Sequence, residues 1–412
     1  MADKFEELVD KYARLVVEVG INVQKSEPVR ISCPVDGAYF ARALAKFAYM
    51  RGASDVVIDW IDDEISHMGY EYKTREQLEI IPEWSIDKSE YYFKKGVNLI
   101  KVYASDPGLL ADIDPEKVAA YAKAHAEAFK KLMKYTMNDI CSWCVVSIPQ
   151  KNWANKVFPD LSPEDACEKL WELIFKTTRM KEKDPVAAWE KHINSLNEKA
   201  EFLQKNKFDK LVYRSDNGTD LTIGLPKGHK WVSAVSKNAK GTRFVPNMPT
   251  EEVFTMPDRL RADGVVFSTK PLALNGNIIE NMKLEFVNGR CEKFTADRGE
   301  EILRNFFEDD ENSRYLGEVA LVPFSSPINK SDVLFFNTLF DENASCHLAF
   351  GAAYPTTLEG GENMTTDELI EHGANDSINH EDFMIGSDDL NITGITEDGV
   401  EIEIFRKGEW TF

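Results

Sequence analysis

Apolar residues recur at helical spacing over residues 3–19 and 36–51, and each stretch is followed by a short apolar run, Val29–Cys33 and Val56–Trp60. Further runs at Leu99–Tyr103 and Val145–Ile148 flank a long helical stretch from Pro115 to about Tyr135. Alternation of this kind predicts a parallel sheet with helical crossovers. Residues 165–173 and 187–205 keep the helical period and read as connecting helices. From Leu211 onward the texture changes to short β-rich runs punctuated by Asn217-Gly218, Asn275-Gly276, Asn288-Gly289 and Asp398-Gly399, dipeptides that predict hairpin turns. Helices are expected near 299–308 and 366–372. A chain of 412 residues also exceeds the span of one core, which stops growing at about 250–300 residues. The reading is an α/β protein: an N-terminal parallel α/β domain with connecting helices over residues 1–206, and a C-terminal, mainly antiparallel, β-rich α+β domain over residues 207–412.

Composition narrows the function by exclusion. A net charge of −21 with no basic stripe repels phosphate backbones, so nucleic acid is not an expected partner. No apolar run approaches the ~18 residues that a membrane helix needs, and the charged start of the chain does not read as a signal peptide. Six scattered cysteines argue against a disulfide framework and for a reducing, cytoplasmic location. Cys141 and Cys144 have CxxC spacing, but no second pair accompanies them and they read as core thiols. None of the N-terminal strands is followed by GxGxxG or GxxxxGK[ST], so the glycines that cradle a dinucleotide or a nucleotide phosphate are missing.

Candidate chemistry gathers in the C-terminal half. Of seven histidines, His347, His372 and His380 fall close together. If residues 378–385 form a strand, His380 and Asp382 are two apart and face the same side, where both can reach one ion. Glu318 interrupts the apolar run 317–322 and needs a cationic partner there. Glu251 and Glu252 stand just before an apolar turn. Taken singly, each segment has an ordinary reading: a strand glutamate facing solvent, a core histidine with its acceptor, a surface acid pair. His67, His125, His192 and His229 have no clustered acids and read as surface or core residues.

Taken together, these segments resemble a specific family. The strings Asn247-Met248-Pro249-Thr250-Glu251-Glu252-Val253-Phe254, Leu316-Gly317-Glu318-Val319-Ala320, Asp341-Glu342-Asn343-Ala344-Ser345-Cys346-His347, Ala353-Tyr354-Pro355 and His380-Glu381-Asp382-Phe383-Met384-Ile385-Gly386 are similar to the motifs of the aminopeptidase T and aminopeptidase S family of cocatalytic metallopeptidases. They occur in the family's order, and the similarity extends over the whole chain.

The resemblance implies that Glu252, Glu318, Glu342, His347, His380 and Asp382 hold two divalent ions, with Glu318 bridging and Tyr354 beside them. Two positions depart from the pattern: Glu381 stands where an uncharged residue is expected, and Cys346 where a small one is. Carboxylate and imidazole donors without thiolate suit Zn²⁺, Co²⁺ or Mn²⁺, and a bridging carboxylate holds two ions about 3.5–4 Å apart. Glu251 is the expected general base, with Glu342 next in line, and Tyr354 the expected oxyanion donor or metal ligand. The implied activity is release of N-terminal residues from short peptides with free amino termini, by a homodimer with enclosed sites. Two alternatives remain at this point: an inactive metal-binding relative, or a two-metal hydrolase of another ester or amide class. A phosphoesterase would call for basic groups, which are absent from residues 341–356 and 375–390.

Overall fold

The computed structural model describes residues 2–104, 106–274 and 277–412. The expected turn at Asn275-Gly276 lies outside the described residues. The chain forms two compact units, Met1–Lys191 with Val235–Pro249, and His192–Ala234 with Thr250–Phe412.

The first unit is built on four parallel strands, β1 (Pro28–Pro34), β2 (Asp55–Ile61), β3 (Asn98–Tyr103) and β4 (Trp143–Ser147), in the order β2-β1-β3-β4. Helices supply the crossovers, as parallel neighbours require. The helix Ala38–Met50 buries Phe40, Ala41, Leu44 and Ala48 along one stripe, while Val29, Ile31 and Cys33 fill the alternate positions of β1. Helix starts follow local chemistry: Asp114 caps the helix Pro115–Met137 and Ser162 caps Pro163–Thr177, each with proline in the first turn. Cys141 and Cys144 are buried free thiols, in keeping with a packing role. Residues 235–249 return to this unit, where Val145 donates to the Pro246 carbonyl at 2.7 Å and accepts from the Met248 amide at 3.0 Å, covering the outer edge of β4.

The second unit holds an antiparallel sheet of eight strands that runs in sequence from Phe208–Arg214 to Glu409–Trp410. The hairpin between Lys283–Val287 and Arg290–Thr295 turns on Asn288 and Gly289, with φ of 49° and 84°, the left-handed pair that a two-residue turn demands. A separate sheet of four antiparallel strands lies in the same unit: β5 (Val253–Thr255), β6 (Leu316–Leu321), β7 (His347–Gly351) and β8 (His380–Met384), in the order β8-β7-β6-β5. The architecture is thus α/β, with a parallel N-terminal part and a mainly antiparallel C-terminal part.

Candidate metal centre

Pairing across the four-stranded sheet decides which side chains meet. Ala349 of β7 lies opposite Glu318 of β6 on one side and Asp382 of β8 on the other, so both acids share its face. His347, two residues before Ala349, shares that face, and so does His380, two residues before Asp382. Phe254 of β5 pairs with Ala320 and continues the face, with Glu252 two positions upstream. Ala349, with only a methyl group, leaves open the space between the two acids.

Glu318 takes this side because β6 carries a bulge. Leu316 pairs with Phe350 and Glu318 with Ala349, so two steps along β6 answer one step along β7, and Gly317 is the extra residue. Glycine is required there, since a Cβ would sit 2.4 Å from both the Gly351 and Ala352 carbonyl oxygens.

The imidazoles sit among the acids. His347 Nε2 lies 3.3 Å from Glu252 Oε2, 3.4 Å from Glu318 Oε1 and 3.8 Å from Asp382 Oδ1. His380 Nε2 lies 3.8 Å from Glu318 Oε2 and 3.7 Å from Asp382 Oδ1. Two groups able to hold a cation follow, Glu252 with Glu318 and His347, and Glu318 with His380 and Asp382, each with its donor atoms within 4.8 Å of one another. Glu318 belongs to both.

The donors fit divalent metal. The His347 Nδ1 is 3.3 Å from the Ser345 carbonyl, and the His380 Nδ1 is 2.7 Å from the Ala352 carbonyl. A carbonyl only accepts, so each Nδ1 carries the hydrogen and each Nε2 turns a lone pair toward the carboxylates. Lone pairs facing carboxylates repel unless a proton or a metal cation stands between them. Among the described residues, Asp382 Oδ1 is buried with no hydrogen-bond partner. The electrostatics agree: burial opposes charge on His347, yet Glu252 and Glu318 raise its pKa well above the usual imidazole value. Burial, reinforced by Asp382 and Glu252, also pushes the Glu318 carboxyl up against the pull of His347. A cluster that clings to protons in this way is one that a cation would stabilise.

The remaining sequence candidates take different places. Glu342 lies outside both groups, although burial and then the charges of Glu252 and Asp382 raise its pKa well above the carboxylate range. Tyr354 is beside the centre, its ring 4.8 Å from that of His380 and 6.3 Å from that of Phe254. Glu251 is buried, and its amide donates to Asn343 Oδ1 at 2.7 Å. Glu381 faces the opposite side of the sheet, paired with Phe350. His372 is not drawn in: it caps the helix Thr366–Glu371, exposed, with Nδ1 on the Glu368 carbonyl. Two expectations are corrected: His67 and His192, read as lacking clustered acids, stand with Nε2 2.9 Å from Asp112 Oδ1 and 3.6 Å from Glu251 Oε2 respectively. In each pair the residues are far apart in sequence, so no spacing rule connects them. Asn343, which holds Glu251, has no signal in the sequence beyond its place in a motif, although a fully buried amide calls for such partners.

Acids and imidazoles converging on one sheet face, without thiolate, define a candidate metal centre, and the likeness to known proteins supplies its class. Residues 5–410 match the thermophilic metalloprotease (M29) family. Aminopeptidase AmpS of Bacillus subtilis (strain 168) is 49% identical over 410 residues, spanning 100% of both chains. Aminopeptidase PepS of Streptococcus thermophilus is 48% identical over 407 residues, 98% of each. The solved structure of wild-type AmpT from Thermus thermophilus, 38% identical, matches with a TM-score of 0.93 over 99% of this chain and 100% of that one. The chain belongs to the M29 metalloprotease family and is a metallo-aminopeptidase, a hydrolase of peptide bonds.

Proposed function

We propose that this enzyme releases the N-terminal residue of short peptides with the help of two divalent ions, Zn²⁺, Co²⁺ or Mn²⁺. The observation that carries this reading is the membership of Glu318 in both cation-holding groups. Glu252 and His347 would hold one ion and His380 and Asp382 the other, with Glu318 available to both and Glu342 the further carboxylate that the resemblance implies. When bound, the ions acidify water and polarise the scissile carbonyl.

The chain's own groups supply the rest. Glu251 takes the proton from the attacking water and returns it to the leaving amine, as a carboxylate held by its backbone at a fixed place is suited to do. Burial, together with the charges of Glu318 and Asp382, raises the Tyr354 pKa well above its usual value. Its hydroxyl therefore stays protonated and is available to donate to the developing oxyanion. The surplus of carboxylates favours the ammonium end of a peptide. The buried free thiols suit a reducing compartment, and we read the enzyme as cytoplasmic and, on the family resemblance, as a homodimer.

Metal analysis of the purified protein, with rates on paired short peptides bearing free and acetylated amino termini, tests the reading. Two ions per chain and stepwise cleavage from free termini alone are expected. Rapid internal cleavage of blocked peptides would overturn it.

A further inference from the structure

The segment that leads into β5 carries the proposed base and a proposed ligand side by side, and it is pinned from two directions. From one side Asn343 Oδ1 accepts the Glu251 amide at 2.7 Å, while Asn343 Nδ2 donates to the Leu339 carbonyl at 3.3 Å and to Glu342 Oε1 at 3.2 Å. From the other side comes the helix Pro185–Asn206, which delivers His192.

His192 lies 2.8 Å through Nε2 from the Thr250 carbonyl. That oxygen only accepts, so the hydrogen is on Nε2, and the same nitrogen is 3.6 Å from Glu251 Oε2. One N–H is thereby directed at the backbone just before Glu251 and at its carboxylate. At 3.6 Å the second contact is an electrostatic attraction rather than a formed hydrogen bond. Both side chains are sequestered, with exposures of 13% for His192 and 7% for Glu251, so water screens the attraction weakly. The helix that brings the imidazole is itself fixed within this unit. Ile193, Leu196, Ala200 and Leu203 are buried along it, Asn197 Oδ1 accepts from Ser233 at 2.6 Å, and Gln204 bonds the Trp231 amide and the His229 carbonyl.

We propose that His192 is a positioning residue for Glu251, orienting the carboxylate that moves the proton while leaving the ions to the neighbouring Glu252. The assignment rests on the reading of Glu251 as the base. An unanchored glutamate loses side-chain freedom only when it reacts, whereas one held by an imidazole is already placed, and orientation of this kind acts on kcat rather than on binding.

The test compares His192→Ala, His192→Gln, Glu251→Gln and the double variant Glu251→Gln/His192→Ala in the metal-loaded enzyme. Each is measured for kcat, KM, bound metal and melting temperature. His192→Ala is expected to lower kcat about 10–100-fold, the usual effect of losing a group that orients a metal-site residue, with KM and metal content unchanged. His192→Gln, which keeps an N–H at similar reach, is expected to recover most of that rate, and it carries the test if the alanine variant does not fold. The double variant should be no slower than Glu251→Gln. Wild-type kcat in His192→Ala alongside a slow Glu251→Gln would overturn this proposal alone, and wild-type kcat in Glu251→Gln would remove the base reading and the proposal with it. Loss of metal in His192→Ala, no recovery in His192→Gln, or an additive loss in the double variant would show that His192 acts by another route.

Discussion

The two sides of the β5–β8 sheet are made by the same strands and differ sharply in chemistry. One side presents Glu252, Glu318, His347, His380 and Asp382. On the other, Phe350 stacks on Phe383 at 4.4 Å and meets Phe307 edge-on at 5.0 Å. Successive residues of β7 and β8 alternate between these two environments. The aromatic side stabilises by burial and packing, which fixes the sheet that the acidic side relies on. The acidic side works against itself, since carboxylates crowd one another out of water until cations arrive. Stability and chemistry are thus separated by the thickness of one backbone, and substitutions should sort by face.

The largest effect is expected at Glu318. Glu318→Gln keeps the size of the side chain and removes the charge that both groups share, so the paired metal content and nearly all activity should disappear while the fold persists. Two bound ions with normal turnover would sink the assignment. Glu252→Gln touches one group only, and should lower metal occupancy and rate in a way that excess metal partly restores. Rates that stay low whatever the metal concentration would argue that Glu252 is not a ligand. On the aromatic side, Phe350→Ala should destabilise the protein by about 3–5 kcal/mol in denaturant unfolding, with the metal stoichiometry of the folded fraction kept. Metal loss at unchanged stability would break the division between the faces.

The smallest effect belongs to Glu381, a carboxylate that β8 presents on the aromatic side. Burial, with the charge of Asp382, pushes Glu381 up to about 8. In metal-free protein between pH ~4.5 and about 8, the folded chain keeps a proton that the unfolded chain releases, so this group makes stability fall as pH rises through that window. Glu381→Gln should flatten that fall and raise the melting temperature of the metal-free protein at pH 8, with kcat of the loaded enzyme changed little. A melting curve at pH 8 identical to that of the parent would mean that Glu381 is solvated.

Much of this division was legible beforehand, because strand alternation places His380 and Asp382 together and Glu381 opposite without any tertiary knowledge. The parallel sheet was equally legible, since its strands are apolar runs long enough to show a period. What escaped was long-range or short. The return of residues 235–249 is made by backbone bonds of Val145 with Pro246 and Met248, and the strands of that segment, Ser236–Lys237 and Arg243–Phe244, are too brief to carry a pattern. His192 sits in a charged helix whose periodicity reports which side is buried, not which distant glutamate it meets.

Gly317 reaches further than a local irregularity. A strand is a two-letter clock, and every residue beyond an inserted one keeps the opposite time. Leu316 and Glu318, two apart, would otherwise point the same way, yet Leu316 pairs on the side of Phe350 and Glu318 on the side of Ala349. Deleting this one glycine would leave every acid and imidazole in the chain, and would turn either Leu316 toward the ions or Glu318 toward the phenylalanines. Among descendants of this fold, a single lost codon at that place would retire the catalyst while every proposed metal ligand stayed in the sequence.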